Sequence, residues 1–116
     1  MSLGQEIRNA RESLQLMDKK SMSLRQCASR WNIEPSYLSK IERDELIPGE
    51  ELLCKIALDL QGDKDVWLAL SGKVSTDLRE IISKRPAIFA SLLRELKNLP
   101  DDAILRVTRE VRDGQW

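Results

Sequence analysis

At 116 residues, with 33% charged and 4% aromatic side chains, the chain is the size of one ordinary domain, or of a compact domain with an extension. Its formal net charge is zero, and no apolar run nears the ~18 residues that a membrane span needs. There is no histidine, the two cysteines form no CxxC, and no paired carboxylates or Gly-rich phosphate loop stand in a recognisable context, so no catalytic role, metal or cofactor is expected.

In chain order the periodicity predicts an all-α protein, with no strand signal, internal repeat or low-complexity tract. A first helix spans about 3–16, with Leu3, Ile7, Ala10 and Leu14 facing inward. This amino end is charged and amphipathic and lacks the apolar segment of a signal peptide, which points to a cytoplasmic protein. After a Met-Asp-Lys-Lys-Ser loop, Leu24, Cys27, Ala28 and Trp31 form one stripe of a second helix, with Ser23 placed to cap it. Asn32 then suits the left-handed conformation that ends a helix. Pro35 suits the first position of a third helix, which continues through Leu38 and Ile41. Helix, tight turn, helix is a geometry in which the second helix can be offered to a DNA major groove.

Pro48 interrupts the segment from Asp44 to Gly49. A fourth helix, about 50–60, buries Leu52, Leu53, Ile56, Ala57 and Leu60, and Gly62 is expected to end it. A fifth, about 64–70, adds Val66, Trp67 and Leu70 and stops near Gly72. Cys27 and Cys54 sit in apolar stripes and read as small buried hydrophobes, with disulfide or metal roles as the alternative.

The run CASRWNIEPSYLSKIER resembles the helix-turn-helix of the phage-repressor (Xre, Cro/CI-type) regulators. Cys27-Ala28, Asn32-Ile33, Leu38-Ser39 and Ile41-Glu42 fall on that family's pattern without a gap. The likeness extends upstream to Leu3-Gly4, Ile7-Arg8 and Arg11-Glu12. Downstream it runs through Ile47-Pro48, Leu52-Leu53 and Ile56-Ala57. Cys27, Asn32 and Asp44 depart from the family's Leu, Gly and Gly. The resemblance implies a five-helix lambda-repressor-like DNA-binding domain over 1–72, followed by a C-terminal helical extension over 73–116.

The third helix would present Ser36, Tyr37, Ser39, Lys40 and Arg43 opposite Leu38 and Ile41. By position in the family motif, Pro35, Ser36 and Lys40 match the base-reading sites. Lysine can donate to guanine, serine can pair with several bases, and proline offers only an apolar contact. Tyr37 is open between core packing and the sugar-phosphate backbone. Ser23, Arg25, Lys20 and Arg43 are the candidates for phosphate contacts. Leu24 falls where many members of the family carry Gln, which removes one polar contact. The family pattern also sets Arg11 against Glu42 as a structural ion pair that locks the recognition helix.

Local charge supports this reading. Lys19, Lys20, Arg25, Arg30, Lys40 and Arg43 stand against Glu34 and Glu42 between residues 19 and 43, a net +4. Asp44, Glu45, Glu50, Glu51 and Asp59 stand against Lys55 in the next sixteen residues, a net −4. Screening over ~8 Å makes the local value the one that attracts phosphate.

Beyond Gly72 three further amphipathic helices are expected. One starts near Ser75 or Thr76 and runs through Leu78, Ile81 and Ile82. The next starts at Pro86 and carries Ile88, Phe89, Leu92, Leu93 and Leu96. The last starts at Pro100 and carries Ile104, Leu105, Val107 and Val111. Asp101 and Asp102 open that last helix while Arg109 and Arg112 close it, matching the helix dipole at both ends. About forty residues cannot bury three such stripes among themselves. Leu92, Leu93, Leu96, Ile104, Val107 and Val111 are therefore the expected dimerisation surface. Trp31 and Trp67 read as core, and Trp116 as either frayed or docked at that surface.

Together these readings predict a sequence-specific, DNA-binding transcriptional regulator, a homodimeric repressor on double-stranded DNA with no membrane role. The alternative is an antitoxin or adaptor whose C-terminal helices bind a partner protein.

Overall fold

The computed structural model describes all residues, 1–116, and is all-helical: eight helices hold 68% of the chain, with no strand. They are α1 (Leu3–Gln15), α2 (Leu24–Arg30), α3 (Pro35–Glu42), α4 (Glu50–Leu60), α5 (Lys64–Leu70), α6 (Thr76–Lys84), α7 (Pro86–Leu96) and α8 (Asp101–Asp113).

Local chemistry explains where they begin. Ser2 opens α1 with a reciprocal cap: its Oγ accepts from the Gln5 amide at 3.2 Å, and its own amide donates to the Gln5 side chain at 3.2 Å. Ser23 accepts from the Gln26 amide at the start of α2, and the Asp63 carboxylate accepts from the Asp65 and Val66 amides at the start of α5. Pro35 and Pro86 occupy the first turns of α3 and α7, where no N–H is needed.

Four successive helices end alike. One residue turns left-handed, and the next amide reaches back five residues: Ile33 to Ala28, Glu45 to Lys40, Gly62 to Ala57 and Lys73 to Leu68, all at 2.8–3.0 Å. The left-handed residues are Asn32, Asp44, Gln61 and Gly72, with φ of 57°, 60°, 60° and 77°. The third differs from the sequence expectation, which put Gly62 there. Gly62 serves packing instead, because the Trp67 indole lies where a Cβ would stand. The left-handed turn falls to Gln61, at a cost of about 1–2 kcal/mol for a residue with a Cβ.

Residues Met1–Thr76 form one compact unit. Within it α1 packs on α3, α4 and α5, α2 packs on α3, and α4 packs on α5. Ile7, Leu38, Ile41, Leu53, Ile56 and Leu68 are closed from solvent at its centre, joined by Trp31 and Trp67. The inner face of α5 is Trp67 with Leu68, whereas Val66 and Leu70, expected inside, are exposed. Cys27 is fully buried, but Cys54 only partly; both are free thiols. The unit extends beyond Gly72 because Ser75 is fully buried and the Glu50 carboxylate accepts from both the amide (2.8 Å) and the hydroxyl (3.1 Å) of Thr76.

Residues Asp77–Trp116 form the second unit. Taken by itself it is built differently. No residue of α6, α7 or α8 is buried. Leu93, Ile88 and Val111 are more than half exposed, while Ile104, Val107 and Leu96 are partly covered. Trp116 is 94% exposed, and its indole N–H donates to the Val111 carbonyl at 2.9 Å.

Candidate nucleic-acid interface

The orientation of α3 is set from behind. Leu38 and Ile41 sink into the core, each burial contributing about 1.5–3 kcal/mol. Beside them the Glu42 carboxylate meets the Arg11 guanidinium of α1 in a bidentate pair, Nε to Oε2 at 2.8 Å and Nη2 to Oε1 at 3.0 Å. A third Arg11 donor reaches the Met22 carbonyl at 3.2 Å, tying in the segment before α2. The hydrogen bonds that Arg11 donates to Glu42 raise its pKa above the ordinary value.

The end of α3 also meets the start of α1. Gly4 approaches so closely that a Cβ there would lie 2.6 Å from the Ile41 carbonyl oxygen and 2.7 Å from that of Glu42. Its amide, one of the unpaired donors of the first turn, donates to Asp44 Oδ1 at 2.8 Å. Asp44 thus does two jobs: it turns left-handed to end α3, and it caps α1. Nothing in the sequence pattern pointed to the second.

With Leu38, Ile41 and Glu42 inside, the opposite arc of α3 carries Pro35, Ser36, Ser39, Lys40 and Arg43. Ser36, Lys40 and Arg43 are exposed, and Pro35 and Ser39 partly so. Tyr37 stands at one edge of this arc, half-buried against the core. Hydrogen-bonding groups on the arc are few, namely two hydroxyls, one ammonium and one guanidinium.

The cations divide into held and unheld. Arg43 is held, its Nη1 2.9 Å from Glu45 Oε2 and its Nε donating to the Ser39 carbonyl at 3.2 Å. Arg30 is held more firmly. It pairs with Asp59 of α4 (Nε 3.0 Å, Nη2 2.9 Å), donates to the Ser21 carbonyl, and lies 3.3 Å from the Cys27 sulfur. Asp59 also accepts from the Trp31 indole at 2.7 Å, so it joins α4 to the end of α2. By sequence count alone Arg30 is free positive charge. The missed signal was a buried tryptophan whose N–H needs an acceptor, with an acid at the edge of the α4 stripe.

Lys19, Lys20, Arg25 and Lys40 are exposed and make no ion pair. Against them stands exposed Glu34 at the start of α3, so this stretch keeps a positive surface after its pairs are discounted. Ser23 is half-buried, and its Oγ accepts a backbone hydrogen bond while its hydroxyl proton stays available to an anion. Leu24 packs against the core. No helix of the chain is long and apolar enough to cross a membrane. No protein-family model, curated protein or solved structure matches the chain.

Proposed function

We propose that this protein is a sequence-specific, DNA-binding transcriptional regulator with a lambda-repressor-like amino-terminal domain. It acts in the cytoplasm as a two-fold dimer that represses by occupying a near-palindromic site. The observation that carries the reading is the outward arc of α3: a short helix, clamped from behind by a buried bidentate pair, that offers Ser36, Ser39 and an unpaired Lys40 to solvent. In this reading α3 lies in the major groove, with Lys40 on a guanine edge, Ser36 and Ser39 beside it and Pro35 against a methyl group. Lys20, Arg25 and the start of α2 at Ser23 face phosphates. Arg43 joins them once it leaves Glu45. The protein acts without catalysis.

So thin a set of base-reading groups gives one copy little selectivity, and a two-fold dimer doubles it. The only partly covered stripes of α7 (Leu92, Leu93, Leu96) and α8 (Ile104, Val107, Val111) supply the dimer surface.

A second reading, an antitoxin or adaptor that captures a partner protein, is favoured by the absence of any buried residue in α6–α8. Titration of a mixed-sequence duplex pool at two salt concentrations separates the two. The regulator binds with an affinity that falls steeply with salt and drops for Lys40→Ala, while Leu93→Asp weakens it only through loss of the dimer. Salt-indifferent or absent binding would leave only the partner-capture reading.

A further inference from the structure

The stripes of the second unit need a cover, and α8 carries information on what covers it. Ile104, Val107 and Val111 share one face of this helix. Asp101 and Arg112 stand at its two ends, eleven positions apart. Eleven residues make three turns and about 20°, so both project on the same flank of the stripe, roughly 90° from its centre. Asp102 and Arg109 project from the back of the helix.

This arrangement is complementary to itself in one direction only. In an antiparallel helix pair, like flanks meet like flanks, and the midpoint between Asp101 and Arg112 falls beside Val107, the middle of the stripe. Parallel pairing brings unlike flanks together, so Asp101 and Arg112 would lie across the seam from their counterparts and meet neither. Antiparallel pairing sets each acid against a base, and it also opposes the two helix dipoles.

We propose that α8 pairs antiparallel with α8 of a second copy, about a two-fold axis at Val107, with Asp101 of each copy beside Arg112 of the other. The pairing deepens the dimer of the preceding subsection and rests on that reading for the dimer alone, not for DNA. A helix of this length buries less than a stable interface requires, so the α7 stripe adds area while α8 sets direction and register. In the single chain the Arg112 guanidinium rests on neighbouring Asp113 at 3.2 Å, an exposed contact that costs little to exchange.

Charge exchange tests the register, using full-length protein without DNA and sedimentation equilibrium as the readout. Asp101→Lys sets lysine against arginine twice in its own dimer, and Arg112→Asp sets acid against acid twice. Each alone weakens self-association roughly 10- to 30-fold. Mixed one to one, the two variants pair with each other at nearly wild-type strength, because both contacts are then opposite in sign. This rescue also shows that each variant is folded. Asp102→Lys makes the same charge change in the same turn, on the back of the helix, and leaves self-association unchanged. Failure of the mixture to recover, equal damage from Asp102→Lys, or a wild-type monomer at high micromolar concentration would each overturn the pairing. Rescue in the mixture by a protein that binds no duplex would keep the pairing and remove the DNA reading.

Discussion

The Arg11 guanidinium and the Glu42 carboxylate face each other along two near-parallel hydrogen bonds of 2.8 and 3.0 Å, with both side chains more than nine-tenths closed from solvent. They lie 31 positions apart and join the first helix to the last turn of the third. Removing one partner strands the other charge in the core, so Arg11→Ala or Glu42→Ala costs about 3–5 kcal/mol in denaturant unfolding. Arg11→Lys loses the bidentate fork and recovers only part of this. Replacing both by leucine costs far less than either alanine variant.

The outward cations divide by role. Lys20→Ala and Arg25→Ala each lower the salt slope of duplex binding by about one and weaken all sequences alike. Lys40→Ala changes which sequences are preferred, at about 1–3 kcal/mol for its base pair. Glu45→Gln releases Arg43 and tightens binding, most clearly at low salt. Fluorescence anisotropy across a salt series reads all four.

Gln61→Gly relieves a left-handed residue that carries a Cβ and stabilises the first unit by about 1 kcal/mol. Gly62→Ala, its neighbour, drives a methyl into the Trp67 indole and destabilises. Thermal unfolding of the two variants moves in opposite directions.

Burial pushes the Cys27 thiol above its ordinary pKa. Cys54, also free, is partly open. In native protein near pH 8, iodoacetamide therefore modifies Cys54 first, and Cys27 only at the rate of unfolding. Mass spectrometry of a timed reaction checks the order.

What could be read from the sequence followed the range of each signal. Apolar spacing and turn residues act within one helix, so all eight helices, the inward pair Leu38–Ile41 and the left-handed Asn32 were legible. Errors arose where a distant group decides. Gly62 looks like a helix stop until Trp67 folds over it, and Val66 looks internal until Trp67 and Leu68 take its place. Arg30 counts as free charge until Asp59, 29 positions on, reaches it. The exposed arc of α3 needs only its own periodicity, whereas the state of Arg43 depends on where Glu45 turns after the helix.

The most direct test is selection of random duplexes by the purified full-length protein, with the enriched pool sequenced. A repressor of this kind enriches a near-palindromic site, its half-sites about one helical turn apart, that is lost with Lys40→Ala and whose affinity falls steeply between two salt concentrations. No enrichment over the starting pool, or enrichment that Lys40→Ala leaves unchanged, would contradict that role.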